Sequence, residues 1–256
     1  MVGLLLCEVS EDCLRYEARA DRRDMKPHSR PIPSVRRMEW LVALAPALLA
    51  GVVYILSMPP AITMDYAGQY VAASFSFGVP IPPGYPFWTL CGFMWSHYIF
   101  PFGNPAWRFG MMSVTAGAAL VGVMSLTMMR STRWLLEGLP WSKAIDPKQV
   151  QWIAASVSTS TALMFGFDRT VWQCACLPEP PALYTLLYFL AAASFLQWIR
   201  EPVRRRHLYA TVVFLSLTVA TADMNALPVT AVMVMPFFVG VLAVGIETAR
   251  ATSVKS

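Results

Sequence analysis

Charge is what this chain has least of. Only 14% of its 256 residues are Asp, Glu, Lys or Arg, against roughly 25% in a soluble globular domain, and that scarcity excludes an ordinary water-soluble enzyme. Soft metal ligands are few as well: the five cysteines, Cys7, Cys13, Cys91, Cys174 and Cys176, are odd in number and lack the paired spacing of a zinc site. No metal and no cofactor is therefore expected. A bridge between Cys174 and Cys176, one residue apart, would close a strained ring, so they read as apolar fillers. No soluble basic patch with interleaved aromatics exists, which argues against nucleic acid as a partner despite the net charge of +5. Met1–Leu6 is too short an apolar run for a signal peptide and has no basic region before it.

What the chain has instead is length in its apolar runs. With 56% hydrophobic residues, it offers several windows near the ~20 residues a helix needs to cross a hydrocarbon core. These are Leu41–Met58, Trp107–Met129, Val150–Phe167, Ala182–Ile199, Leu208–Ala220 and Ala226–Ile246. A further run, Phe87–Phe102, is aromatic-rich and interrupted by His97, which suits an interfacial helix better than a span. The expected fold is an all-α, polytopic transmembrane helix bundle of about six spans, whose long first loop holds short interfacial helices. Residues 1–37 read as a cytoplasmic leader, disordered or only locally helical, or as the product of a start upstream of Met38. Residues 38–247 form the transmembrane domain and 248–256 a cytoplasmic tail.

Basic residues orient this bundle. If Phe87–Phe102 does not cross, Arg130, Arg133, Lys143, Lys148, Arg200, Arg204, Arg205, Arg206, Arg250 and Lys255 all share the side of Arg36 and Arg37, as the positive-inside rule asks of a cytoplasmic face. Both termini are then cytoplasmic. Asp65, Gln69, His97, Asp168, Glu179, Asp223 and Asn225 fall on the external side, with Arg108 and Arg169.

Several of these external residues could carry chemistry. Asp65 lies just beyond a membrane exit, where it either acts as a general base toward an acceptor hydroxyl or caps a short helix. Pro82-Pro83-Gly84-Tyr85-Pro86 must form a stiff turn that orients the next helix, and Tyr85 has the means to stack on a ring or bond a phosphate. Glu179, at the mouth of the fourth span, either binds substrate or favours a helix start. Arg108 and Arg169 offer fork-shaped guanidinium groups suited to phosphate, while an ion pair of Arg169 with Asp168 or Glu179 is the plainer alternative. Asp223 is similarly open.

Asp65, Gly68, Gln69 in place of a usual Glu, the small-residue run Val71-Ala72-Ala73-Ser74, Gly78 and the Pro-Pro-Gly-Tyr-Pro turn together resemble the bacterial membrane family catalogued as domain of unknown function 2723 (DUF 2723). Its eukaryotic relatives are transmembrane protein O-mannosyltransferases, and the family is assigned to the glycosyltransferase C (GT-C) class. The resemblance implies an integral membrane glycosyltransferase in a cell membrane, of the bacterial inner-membrane kind. It would take sugar from a polyprenyl-phosphate carrier and pass it to a protein or glycan acceptor on the external face. Asp65 would be catalytic; Gln69, Tyr85, Arg108, Arg169, Glu179 and Asp223 would bind substrate, with membrane lipids as surroundings. Family members are commonly longer, so the resemblance is to an N-terminal module. Two alternatives stay open: a catalytically inactive or truncated subunit on the same scaffold, and a small transporter, which the lack of an inverted repeat disfavours.

Overall fold

A backbone crossing hydrocarbon finds no water to bond and must satisfy its amides within its own helix. The computed structural model describes residues 33–61, 66–80, 84–139, 145–201, 204–221, 234–235 and 237–241, and among them there is no strand. Residues 1–32 of the leader, Asp65, the Ile81-Pro82-Pro83 segment, Asp223, Asn225 and most of the sixth expected span lie outside the described residues. The chain divides into two units, Met1–Met38 and Glu39–Ser256; of the first, only residues 33–38 are described, as the opening of a helix.

The helices are α1 (Pro33–Ser57), α2 (Ala67–Phe75), α3 (Pro86–Met94), α4 (Pro105–Glu137), α5 (Pro147–Gly166), α6 (Arg169–Cys176), α7 (Pro181–Arg200) and α8 (Arg205–Thr221), with a π-helical turn, Trp95–Ile99, continuing α3. Proline opens α3, α4, α5 and α7, a position where its missing N–H has no intrahelical partner to lose. Among the described residues, three helices are long and apolar enough to cross a membrane: Arg37–Ser57, Pro105–Leu136 and Pro181–Arg200. Of the other expected spans, α5 carries Ser156, Ser158, Thr159, Ser160 and Thr161 along its middle, and α8 has 17 residues. The aromatic run from Phe87 becomes α3 and its π turn, too short to span.

The longest of the described helices, α4, has 33 residues and so runs about 50 Å at 1.5 Å per residue. Against it pack α5, α6 and α7, and α1 lies along it antiparallel. Small residues make this seam, as they do between membrane helices that lack a hydrophobic drive to associate. A Cβ placed on Gly122 would lie 3.1 Å from the Ala43 carbonyl oxygen, and one on Gly117 would lie 2.6 Å from the Ala175 Cβ. Ser125 Oγ donates to the Val42 carbonyl at 2.8 Å. On its buried side α5 presents Ala154, Ser158, Ala162 and Gly166, one every fourth residue. Outward, α1 exposes Leu41, Leu44, Leu48, Val52 and Ile55. Only 28% of its apolar window is buried, an arrangement stable in hydrocarbon and unstable in water.

Alternation of helix direction sorts the molecule into two ends. The last turns of α1 and α5 and the first turns of α4 and α7 meet at one end, with α2, α3 and α6; α3 also touches α8 there. At the other end, Glu39 bridges to Arg130 and Arg133, both at 3.1 Å. Gln69, Tyr85, Arg108, Arg169 and Glu179 all belong to the first end.

Candidate functional site

Two assemblies make up that end. The first surrounds the start of α4. Asn104 caps the helix by accepting from the Trp107 N–H at 2.7 Å, and its Nδ2 donates to the Pro60 carbonyl at 3.3 Å, clipping the exit of α1 to the start of α4. Arg108, half-buried, donates through Nε to the Gly103 carbonyl and through Nη1 to the Ser96 carbonyl, both at 3.0 Å. Its guanidinium thus holds the end of the π turn against α4. Within that turn His97 stacks on Phe93, with ring centroids 4.4 Å apart, and lies 4.7 Å from the Phe75 ring. His97 Nδ1 is 3.0 Å from both Ser96 Oγ and the Phe93 carbonyl.

Beneath these residues α2 and α3 pack as a pair through Tyr70, Val71, Tyr85 and Trp88, against Phe109 and Met112 of α4. Tyr85 takes a left-handed backbone, φ 45° and ψ 57°, a conformation that costs a side-chain-bearing residue about 1–2 kcal/mol. Gly84 before it has φ 109°. Two successive positive φ angles turn the chain sharply into α3 and drive the Tyr85 ring inward, where only 3% of the residue is exposed. The Tyr70 hydroxyl donates to the Tyr85 hydroxyl at 3.3 Å, the rings meeting edge to face. Gln69, by contrast, stands exposed on α2. Among the described residues, Trp88 Nε1 and Ser74 Oγ are buried without hydrogen-bond partners.

The second assembly is α6 docked on the end of α1. Asp168 caps α6 by accepting from the Thr170 N–H at 3.0 Å. Trp172 Nε1 donates to Ser57 Oγ at 2.9 Å, and Cys176 Sγ sits 3.4 Å from the same oxygen. Tyr54 sends its hydroxyl to the Gly166 carbonyl, tying α1 to the end of α5. Arg169 is exposed on the first turn of α6, with no ion pair to Asp168 or Glu179 among the described residues. Glu179, half-buried, lies in the short link from α6 to α7 and donates its backbone N–H to the Leu177 carbonyl at 2.8 Å. Cys174 and Cys176 are free thiols. Burial pushes both thiols up, and the Glu179 carboxylate adds to the rise at Cys174, so neither is poised as a nucleophile.

The fold therefore gathers Gln69, Tyr85 and Arg108 in the first assembly and Arg169 with Glu179 in the second. Asp65 immediately precedes the first described residue of the α2 region, Tyr66, and is itself outside the described residues, as is Asp223. Among the described residues, no three His, Cys, Asp or Glu side chains gather in a way that would hold a metal ion. The sequence reading missed Asn104, Ser96 and the Trp172–Ser57 pair. Asn104 had a local signal, an Asn-Pro step before an apolar run. Trp172 had none, because its partner is 115 residues away.

Comparison with known proteins follows the same stretch of chain. Residues 66–241 match the family model described as the protein O-mannosyl-transferase TMEM260 N-terminal domain. The protein O-mannosyl-transferase TMEM260 of Mus musculus is 27% identical over 141 residues, which are 55% of this chain and 17% of the mouse protein. The Dictyostelium discoideum protein O-mannosyl-transferase tmem260 is 33% identical over 124 residues, 48% of this chain and 13% of its own. The chain thus spans less than a fifth of the length of these curated relatives. No solved structure matches.

Proposed function

This chain belongs to the family of the protein O-mannosyl-transferase TMEM260 N-terminal domain, and on that premise we propose that it serves in glycosyl transfer at a membrane surface. A mannosyl residue passes from a polyprenyl-phosphate carrier to an acceptor hydroxyl, in the manner of the glycosyltransferase C class. The acceptor oxygen attacks the anomeric carbon, the bond from that carbon to the phosphate oxygen breaks, and polyprenyl phosphate leaves with the electron pair. Asp65 takes the hydroxyl proton, a role whose loss costs typically about 10²–10⁴-fold. The observation that carries this reading is the family match itself, which runs from Tyr66 through α8 and takes in α2, α3, the start of α4 and α6, with Asp65 one residue before it.

Of the two arginines suited to the phosphate, Arg169 fits better. It is exposed, whereas Arg108 already spends two N–H groups on backbone carbonyls and works mainly by positioning the π turn. Tyr85 supports the turn from beneath, Gln69 and Glu179 face the acceptor side, and Asp223 adds a further acid. The reacting end is external, with the arginine-rich end cytoplasmic, as the distribution of Lys and Arg asks.

Asp65→Asn tests the reading in membranes that carry the full chain, supplied with polyprenyl-phosphate mannose and a Ser/Thr peptide. Transfer falls by at least about 100-fold while helix content is kept. Unchanged transfer would sink the role given to Asp65. A second reading, a non-catalytic membrane subunit on the same scaffold, draws on Gln69, an exposed amide that cannot ionise; absence of transfer by the unaltered chain under conditions where a longer relative works would favour it.

A further inference from the structure

At the end remote from that site, a groove of about 160 Å³ runs between α4 and α7. Both helices are long and apolar enough to cross a membrane and both start at the same end of the bundle, so position along the groove corresponds to depth in the bilayer. Its walls change chemistry with that depth. Leu126 and Leu190 line the inner part, Thr127 and Ser194 come next, and Arg130 and Arg200 close the far end. The Arg200 guanidinium lies over the Trp134 ring, 5.5 Å from its centroid. Trp134 is exposed, as an amphipathic ring at the membrane surface is expected to be. The sequence around this end carries Arg37, Arg130, Arg133, Lys148, Arg200, Arg204, Arg205 and Arg206 against Glu39, Glu137, Asp146 and Glu201, an excess of positive charge that suits an anionic head group.

We propose that this groove binds one anionic phospholipid. Its acyl chain lies along Leu126 and Leu190, and an ester oxygen accepts from the Ser194 hydroxyl, since the Thr127 hydroxyl already donates to the Val123 carbonyl. Its phosphate sits between Arg200 and the Nη1 that Arg130 has left after donating through Nε and Nη2 to Glu39. A free phosphate would have no use for the apolar stretch, and a bare hydrocarbon chain none for the arginines. Only a molecule apolar at one end and anionic at the other matches the whole gradient. The inference is independent of the proposed sugar transfer, because the groove shares no residue with either assembly of the candidate site.

The test uses the full chain in detergent, offered equal amounts of phosphatidylglycerol and phosphatidylcholine, with retained lipid counted by native mass spectrometry. Phosphatidylglycerol is retained in preference. Arg200→Gln reduces its retention about five-fold, the effect expected of one basic residue at an anionic surface. Ala193→Phe fills the groove with every charge left in place and reduces retention as well. Lys148→Gln, exposed at the start of α5 at the same end, leaves retention unchanged. Equal retention of the two lipids overturns the proposal, as does undiminished retention in Arg200→Gln. A loss in Lys148→Gln as large as in Arg200→Gln also overturns it, since that would be adsorption to a generally positive surface. Helix content by circular dichroism accompanies each variant, and if Ala193→Phe does not fold, Arg200→Gln decides.

Discussion

Where α1 begins and α4 closes, Arg130 and Arg133 share the carboxylate of Glu39 at 3.1 Å each; where α4 begins, Arg108 turns instead to two backbone carbonyls at 3.0 Å. The same side chain does different work at the two ends. Pairing guanidinium with carboxylate joins two helices and sets their relative depth. Pairing it with carbonyls fixes the path of a loop, because those carbonyls belong to the π turn and the bend before α4. The end with many charges therefore holds the bundle in register. The end with few holds a shape, built from Tyr85, Trp88, Phe93 and His97.

The sharpest way to break this comparison is Glu39→Gln. Glu39 is 14% exposed in its side chain and faces two guanidinium groups, so the change leaves both without their shared carboxylate. A fully buried pair broken in this way costs about 3–5 kcal/mol; partial exposure of the arginines brings the expected loss to about 2–3 kcal/mol. Thermal unfolding in detergent measures it, and a variant that melts with the parent would mean that the bridge sets no register.

Arg108→Lys should cost less, about 1–2 kcal/mol. The ammonium keeps the charge but lacks the fork that reaches Gly103 and Ser96 together. Faster amide exchange confined to Trp95–Ile99 is the expected signature; protection as in the parent would refute the positioning role.

Smallest is the effect of Glu179→Gln on Cys174. Burial raises this thiol most and the Glu179 carboxylate raises it further, so removing the carboxylate lowers the pKa and increases the thiolate fraction at mildly alkaline pH. Alkylation of Cys174 should quicken by less than about ten-fold, the equivalent of one pKa unit, since the burial contribution remains. Slower alkylation would contradict the electrostatic assignment.

Much of the fold was legible because its causes are local. Pro86, Pro105, Pro147 and Pro181 each stand where a helix begins, and His97 lies inside the π turn, Trp95–Ile99, into which the aromatic run passes from regular α-helix. Helix ends were less legible. The second expected span stops at Met129, yet α4 continues to Glu137, because hydropathy reports the thickness of hydrocarbon while the helix goes on for as long as its hydrogen bonds are satisfied. The sequence could name candidate site residues but not their arrangement. Tyr85 is oriented inward by two consecutive positive φ angles, and Arg108 is engaged by carbonyls that any sequence would supply.

By itself the sequence determined the helical class, the short helices of the first loop, the asymmetry of basic residues and the likeness to a mannosyltransferase family, since each rests on neighbouring residues or on composition. Only the tertiary structure decided that Glu39 meets Arg130, that Trp172 meets Ser57, and that the α4–α7 groove grades from leucine to arginine. Those pairings depend on the rotation and depth of one helix against another. For α1 and α6 against α4 they go with the close approach of small residues at Gly117 and Gly122, a property of the packed bundle that no single helix contains.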